Sequence, residues 1–267
     1  MLGTLANLAA RLKPMFPLRD ENPTAHFPIA TIVIIAMNVL SWVFLQGLGT
    51  DVALARSLCN FGLVTGDVLG TAPIGSSFPL SRTLACVIDR HGDWYTLFTH
   101  MFMHGGWFHI VGNMWFLWIF GDNVEDVMGP VRFFVFYLLC GLAAATAQMW
   151  TDVNSVAPMV GASGAIGGVM GAYALLFPRA RVHTFIFLFF YVTTVAVPAV
   201  FMLGYWFVLQ VLSGLPSVGG ASSGGVAFWA HVGGFLAGIA LVVPFRSRAR
   251  IEARAALAPR QISRYRW

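Results

Sequence analysis

The chain has 267 residues, 58% of them hydrophobic and only 10% charged, with a formal net charge of +5. An ordinary soluble domain carries roughly 25% charged residues, so this chain has too few to cover a water-exposed globule, and its mean hydropathy is +0.74. A soluble enzyme and a disordered regulator are excluded, and so is a nucleic-acid binder, because the basic residues are not spread as a binding face needs; a polytopic membrane protein remains.

A bilayer-crossing helix needs roughly 20 mostly apolar residues. Residues 1–28 are polar and contain proline, and read as a cytoplasmic tail preceding an uncleaved anchor. The first apolar stretch runs from Ile29 to Leu48. Gly49 to about Trp107 is rich in glycine and aromatics and reads as a long outer loop lying on or in the outer leaflet. It holds Cys59 and Cys86, which an oxidising outer compartment would permit to bridge. A second span surrounds Ile110 to Phe120, and a third runs from Phe133 to Thr151. A fourth starts near Gly161 and stops before Pro178-Arg179.

From Val182 to Phe245 there are 64 residues without a formal charge, enough for two spans around the break SGLPSVGGASSGG at 213–225. The expected architecture is therefore an all-α bundle of six transmembrane helices over 29–245, followed by a basic tail, 246–267. Arg11, Lys13, Arg19, Arg132, Arg179, Arg181 and the seven arginines from Arg246 onward fall on one side, against Arg56, Arg82 and Arg90 on the other. The positive-inside rule then places both termini in the cytoplasm. The terminal arginines read as a topology anchor that also contacts anionic lipid.

Strongly polar residues inside spans, or on the approach to them, are costly and point to function. Here they are His100, His104, His109, Asn113, Gln148, Ser163, Gln210 and His231. His109 and Asn113 are four apart and share a helix face; interhelical hydrogen bonding is the plain alternative to a catalytic use. No acid stands beside these histidines in the HExxH manner, so no metal is expected. Ser163 sits between Gly161 and Gly164 in a run of small residues, where close helix packing explains most of the glycines. It also stands where Gly161 can turn the chain into a helix, and free N–H groups at a helix start favour a developing negative charge. His231, Gly234 and Gly238 lie on one stripe that can press against the 161–172 glycine face. A hydroxyl, an imidazole and two side-chain donors are the parts needed for acyl transfer by an activated serine.

With GASG at 161–164, HIVGN at 109–113 and AHVGGFLAG at 230–238, in that order, the chain resembles the rhomboid family of intramembrane serine proteases. The resemblance covers about residues 28 to 245. It implies Ser163 as nucleophile, His231 as general base, and an oxyanion hole of the Ser163 N–H with the His109 and Asn113 side chains. Gly161, Gly164, Gly234 and Gly238 support these positions, His104 looks like the histidine that helps hold the outer loop, and Glu125 looks like the family's structural acid. It also implies a Ser-His dyad without an acid, no cofactor, and a single-span membrane protein as substrate, with lipid as the surrounding partner and a bacterial inner membrane as the location. Two positions depart from the family pattern. Gly167 stands where some members pack an aromatic on the catalytic histidine, which leaves another group, such as the aromatics Trp229 or Tyr173, to orient His231, and Trp94-Tyr95 stands where many carry Trp-Arg. The alternatives are a catalytically silent relative that binds membrane clients, which typically lacks the serine or the histidine, and a small transporter, which would show repeats or a charge-lined path.

Overall fold

The computed structural model describes residues 15–262 except Arg82, His91, 189–190 and 219–224. Of the basic residues counted above, Arg11, Lys13, Arg82, Arg264 and Arg266 lie outside the described residues, as does the middle of the expected Gly-Ser-Pro break. Strand β1 (Phe16–Asp20) precedes α1 (Ile29–Leu40), which continues through a wider turn at Ser41–Leu45. The segment up to residue 106 folds into α2 (Asp51–Phe61), α3 (Thr65–Val68), a hairpin of β2 (Ser77–Pro79) with β3 (Ala85–Val87), and α4 (Thr96–Thr99). A Cys59–Cys86 disulfide ties α2 to that hairpin. Then follow α5 (Trp107–Met128), α6 (Pro130–Thr151), α7 (Ser163–Leu176), β4 (Arg181–Leu188), β5 (Tyr191–Pro198), α8 (Ala199–Val218), α9 (Phe228–Phe245) and α10 (Arg248–Ile262).

The chain is mainly helical, and α6, α8 and α9 are each long and apolar enough to cross a bilayer. Ile29–Leu45 and Ser163–Leu176 are shorter apolar helices. Helix α5 has 22 residues but carries Asp122, Glu125 and Asp126 in its last two turns. Its end is sharply defined. Gly129 adopts φ 84°, its N–H donates to the Glu125 carbonyl at 2.7 Å, and Pro130 opens α6 at a position where its missing N–H costs nothing.

Several expectations need correction. Arg181–Leu188 and Tyr191–Pro198 are not part of a fifth span, and the fold is not all-α: they pair as β4 and β5, and β1 pairs antiparallel with β4 to give a three-stranded sheet, so part of the N-terminal tail is built into the fold. The strands are rich in Val, Thr, Phe and Ile, which suit a pleated surface, but an uncharged apolar run reads the same way as helix or as strand. The helix that falls in the expected fifth span, α8, therefore begins at Ala199 and runs through Pro216 to Val218, into what reads as a break.

Helix α7 lies inside the bundle, with residues Gly164 through Tyr173 all buried. Its small-residue face meets α9 at backbone distance: a Cβ on Gly234 would fall on the Gly164 carbonyl oxygen, and one on Gly238 on the Gly168 carbonyl. Gly233 similarly presses α9 against Ala147 of α6. The expected apposition of the two stripes is present. Charged groups tie the remaining elements together. Glu125, 2% exposed, accepts hydrogen bonds from the Ala30 N–H (2.8 Å), the Thr31 N–H (2.7 Å) and the Thr31 hydroxyl (2.8 Å), and so caps α1 from α5. The Tyr173 hydroxyl donates to Asp20 of β1 at 2.5 Å, which anchors the strand to α7. Arg254 of α10 donates to Asp126 (2.7 Å), Asn22 (2.5 Å) and Asn123 (2.7 Å).

Because the α7–α9 contact is backbone to backbone, Gly238→Val cannot be absorbed by rotating a side chain. We expect a loss of about 1–3 kcal/mol or more from overpacking, read as a lower thermal transition in detergent. Gly204→Ala on α8, where a Cβ meets nothing within 4 Å, should leave the transition in place.

Candidate active site

Residues 153–161 lead into α7 along the α2–α4 segment. Leu63 and Met159 exchange backbone hydrogen bonds of 2.9 and 2.8 Å, and the Gly66 N–H donates to the Ser155 carbonyl at 2.9 Å. The Gly161 N–H then donates to the His100 carbonyl at 2.9 Å, and Gly161 turns the chain with φ 130°, a conformation that L side chains rarely adopt. Two residues later Ser163 opens α7. The missing side chain also makes room: a Cβ on Gly161 would lie 2.6 Å from His109 Nε2 and 3.4 Å from Ser163 Oγ. A hollow is thus bounded by a hydroxyl, an imidazole nitrogen and the first N–H groups of a helix.

Ser163 Oγ is 2.8 Å from His231 Nε2, although α7 and α9 bring these residues together from positions 68 apart in the chain. Both are half-buried. His231 Nδ1 is 2.8 Å from Gln210 Oε1 on α8. The indole of Trp206, also on α8, lies beside the imidazole with centroids 5.7 Å apart. Neither Trp229 nor Tyr173 orients His231: the Trp229 indole N–H donates to the Gly214 carbonyl (3.1 Å), and Tyr173 is engaged with Asp20. Gln210 stood out in the sequence as a polar residue in an apolar run, but nothing in its spacing linked it to His231.

His109 takes the Gly105 N–H on Nδ1 at 3.2 Å, which leaves Nε2 as its protonated nitrogen, on the Gly161 side. One turn on, Asn113 is buried and its Nδ2 makes no hydrogen bond among the described residues. His104 is fully buried, with its ring edge-to-face on His109 at 5.1 Å and both ring nitrogens without a partner among the described residues. The loop is held there through backbone: Gln46 Oε1 accepts the His104 N–H (2.8 Å), and Gln46 Nε2 donates to the His104 carbonyl (2.7 Å). Sequence reading missed Gln46, whose position near the end of the first apolar stretch gave no sign of a partner 58 residues away. Gln148 of α6 accepts the Ala230 N–H at 3.3 Å, next to His231. Glu125 is remote from this cluster, at the start of α1. Trp94 is exposed, and the Tyr95 hydroxyl donates to the Asn60 carbonyl. Beside Ser163, a small recess is lined by Ala144, Gly161, Gly164 and Ala230.

The family follows from comparison with known proteins. The Rhomboid domain family model matches residues 91–248, more than half of the chain, and this region holds every residue of the hollow. The chain belongs to the rhomboid family. Similar proteins include the Rhomboid protease GluP of Bacillus subtilis, 33% identical over 155 residues, which are 57% of this chain and 27% of that protein. They also include Rhomboid protein 1, mitochondrial, of Saccharomyces cerevisiae (34% identical over 90 residues; 32% of this chain, 26% of that protein). The Putative rhomboid protease YdcA of Bacillus subtilis is 27% identical over 150 residues, 56% of this chain and 63% of that protein. The chain thus spans from about a quarter to less than two thirds of these relatives. Membership, with the apolar helices, makes it an integral membrane protein of a family of intramembrane proteases that act on membrane proteins.

Burial pushes the imidazoles of His100 and His104 down from the ordinary 6.5, to about 4 and about 3 respectively; the neighbouring His109 adds to the effect on His104. Both stay neutral in the folded protein while the unfolded chain takes up protons below about pH 6.5. Stability should therefore be unaffected by these two groups above that pH and fall as pH drops from about 6.5 toward 4. Thermal transitions followed across that window check this, and a flat profile would contradict it.

Proposed function

We propose that this rhomboid is an active serine endopeptidase that cuts single-span membrane proteins in or next to their transmembrane segment. The observation that carries the proposal is the 2.8 Å approach of Ser163 Oγ to His231 Nε2 at the start of a buried helix. His231 takes the serine proton as Oγ attacks the scissile carbonyl, then returns it to the leaving amine; water repeats the sequence to release the acyl-enzyme. The developing oxyanion is held by the Ser163 N–H, His109 Nε2–H and Asn113 Nδ2, donors whose value lies in being positioned before the charge forms. The Asn113 Nδ2, without a partner among the described residues, supports this assignment. The recess is lined mainly by alanine and glycine, with His100, Met159 and Val160 completing it, and suits a small side chain at the cleaved position.

Backbone amides of a membrane helix are protected by their own hydrogen bonds, so the substrate helix must be weak enough to unwind before Ser163 can reach it. The six-span arrangement comes from adding α5 and the two shorter apolar helices to α6, α8 and α9. Both termini are proposed to lie in the cytoplasm of a bacterium, with the active site open to the outer face of the inner membrane. The arginine distribution supports this orientation, and so does the Cys59–Cys86 bridge, since disulfides persist on the oxidising side.

Cleavage of a single-span reporter in liposomes tests the proposal. Ser163→Ala and His231→Ala should each abolish product while the protein still inserts and folds; undiminished cleavage by Ser163→Ala would sink the assignment. Asn113→Ala and His109→Ala should each lower kcat by roughly 10²–10³-fold, the range for one oxyanion donor, and retain measurable activity because the backbone donor remains.

A further inference from the structure

Among the described residues no carboxylate is in contact with His231, and Gly167 offers it no ring from α7. Helix α8 supplies both kinds of contact. Trp206 and Gln210 are one turn apart on one face, the first beside the His231 ring and the second 2.8 Å from its Nδ1. A Cβ on Gly167 would lie 3.7 Å from the Trp206 ring and 3.0 Å from the His231 carbonyl. The Trp206 indole thus fills the side of the histidine that an aromatic at 167 would otherwise approach.

The orientation of the Gln210 amide follows from its other end. Its Nε2 faces the Trp206 carbonyl at 3.4 Å, a group that only accepts, and this turns Oε1 toward His231. An amide oxygen likewise only accepts. The proton of neutral His231 is then on Nδ1, and the Nε2 lone pair faces the Ser163 hydroxyl 2.8 Å away.

We propose that Gln210 is a positioning residue that extends the Ser163–His231 pair into a three-membered chain of hydrogen bonds, a role that rests on the reading of that pair as nucleophile and base. Gln210 neither gains nor loses a proton. When Nε2 takes the serine proton, the Nδ1–H bond to Gln210 becomes charge-assisted and stronger, so the amide contributes more in the transition state than before it. The Trp206 face lies within the range of cation–π attraction for the imidazolium formed at that moment. A carboxylate in the same place would give a larger attraction at the cost of a charge inside an apolar bundle; the amide fixes the tautomer without it.

The test compares the native protein with Gln210→Leu, Gln210→Glu and Ser163→Ala, using labelling of Ser163 by a small fluorophosphonate and cleavage of the reporter. Gln210→Leu should slow labelling at least about tenfold, the cost of one lost hydrogen bond to a charged group, and lower kcat with KM unchanged. Gln210→Glu, which keeps an acceptor at the same reach, should recover part of that rate. Ring ¹⁵N shifts of His231 should report Nδ1–H in the native protein. Native labelling and kcat in a folded Gln210→Leu protein would overturn the proposal, as would Nε2–H in the native histidine, a measurement that stands even if the leucine variant fails to fold. Neither result would touch the nucleophile assignment, which fails only if Ser163→Ala still cleaves.

Discussion

Everything catalytic in this molecule depends on two helices touching without side chains between them. Where Gly164 and Gly168 of α7 meet Gly234 and Gly238 of α9, the backbones are separated by little more than van der Waals contact. Only at that separation can Ser163, at the start of one helix, reach His231 on the other. In a bilayer this contact has no hydrophobic driving force, since lipid tails are as apolar as leucine, and close packing has to provide the attraction. The glycines therefore set the site geometry and supply much of the cohesion at once. This leaves them less freedom than the surrounding leucines and valines, which need only fill volume.

The scarcity of charge has a matching logic. In water a formal charge keeps a surface solvated; here several buried acidic groups join separate elements. Glu125 satisfies backbone N–H groups at the start of α1 that have no partner within their own helix, Asp20 ties β1 to Tyr173, and Asp126 gathers the two ends of the chain. Burial raises the Asp20 carboxyl above its usual range even with the Tyr173 hydroxyl donating to it, which is the cost of using a carboxylate as a tether in an apolar setting. The catalytic cluster contains no carboxylate among these contacts; its histidines meet a hydroxyl, an amide, aromatic rings and one another.

How much was legible in the sequence depended on the range of the interaction. Ser163 after a turning glycine, His109 and Asn113 one turn apart, and His231 on a stripe with Gly234 and Gly238 are local patterns, and each can be read from spacing alone. The partnerships of Gln46 with His104 and of Gln210 with His231 cannot, because a glutamine in an apolar run signals only that it needs a partner. The hairpin at 181–198 was missed for another reason. Valine, threonine and phenylalanine without charge satisfy both a span and a buried strand, and what separated the two was pairing with Phe16–Asp20, more than 160 residues earlier in the chain.

The arginine-rich stretch beyond α9 looks like a tail, but the contacts of Arg254 make it part of the folded body. The Asp126 carboxylate has a fully buried side chain, and it receives the Ala25 and His26 N–H groups from one end of the chain and the Arg254 guanidinium from the other. The region matched to the family ends at residue 248, six residues before that arginine. A protein trimmed at residue 248 would keep every residue of the hollow yet take the guanidinium away from a buried carboxylate, leaving it the Ala25 and His26 contacts alone and losing the clasp that holds the two ends together.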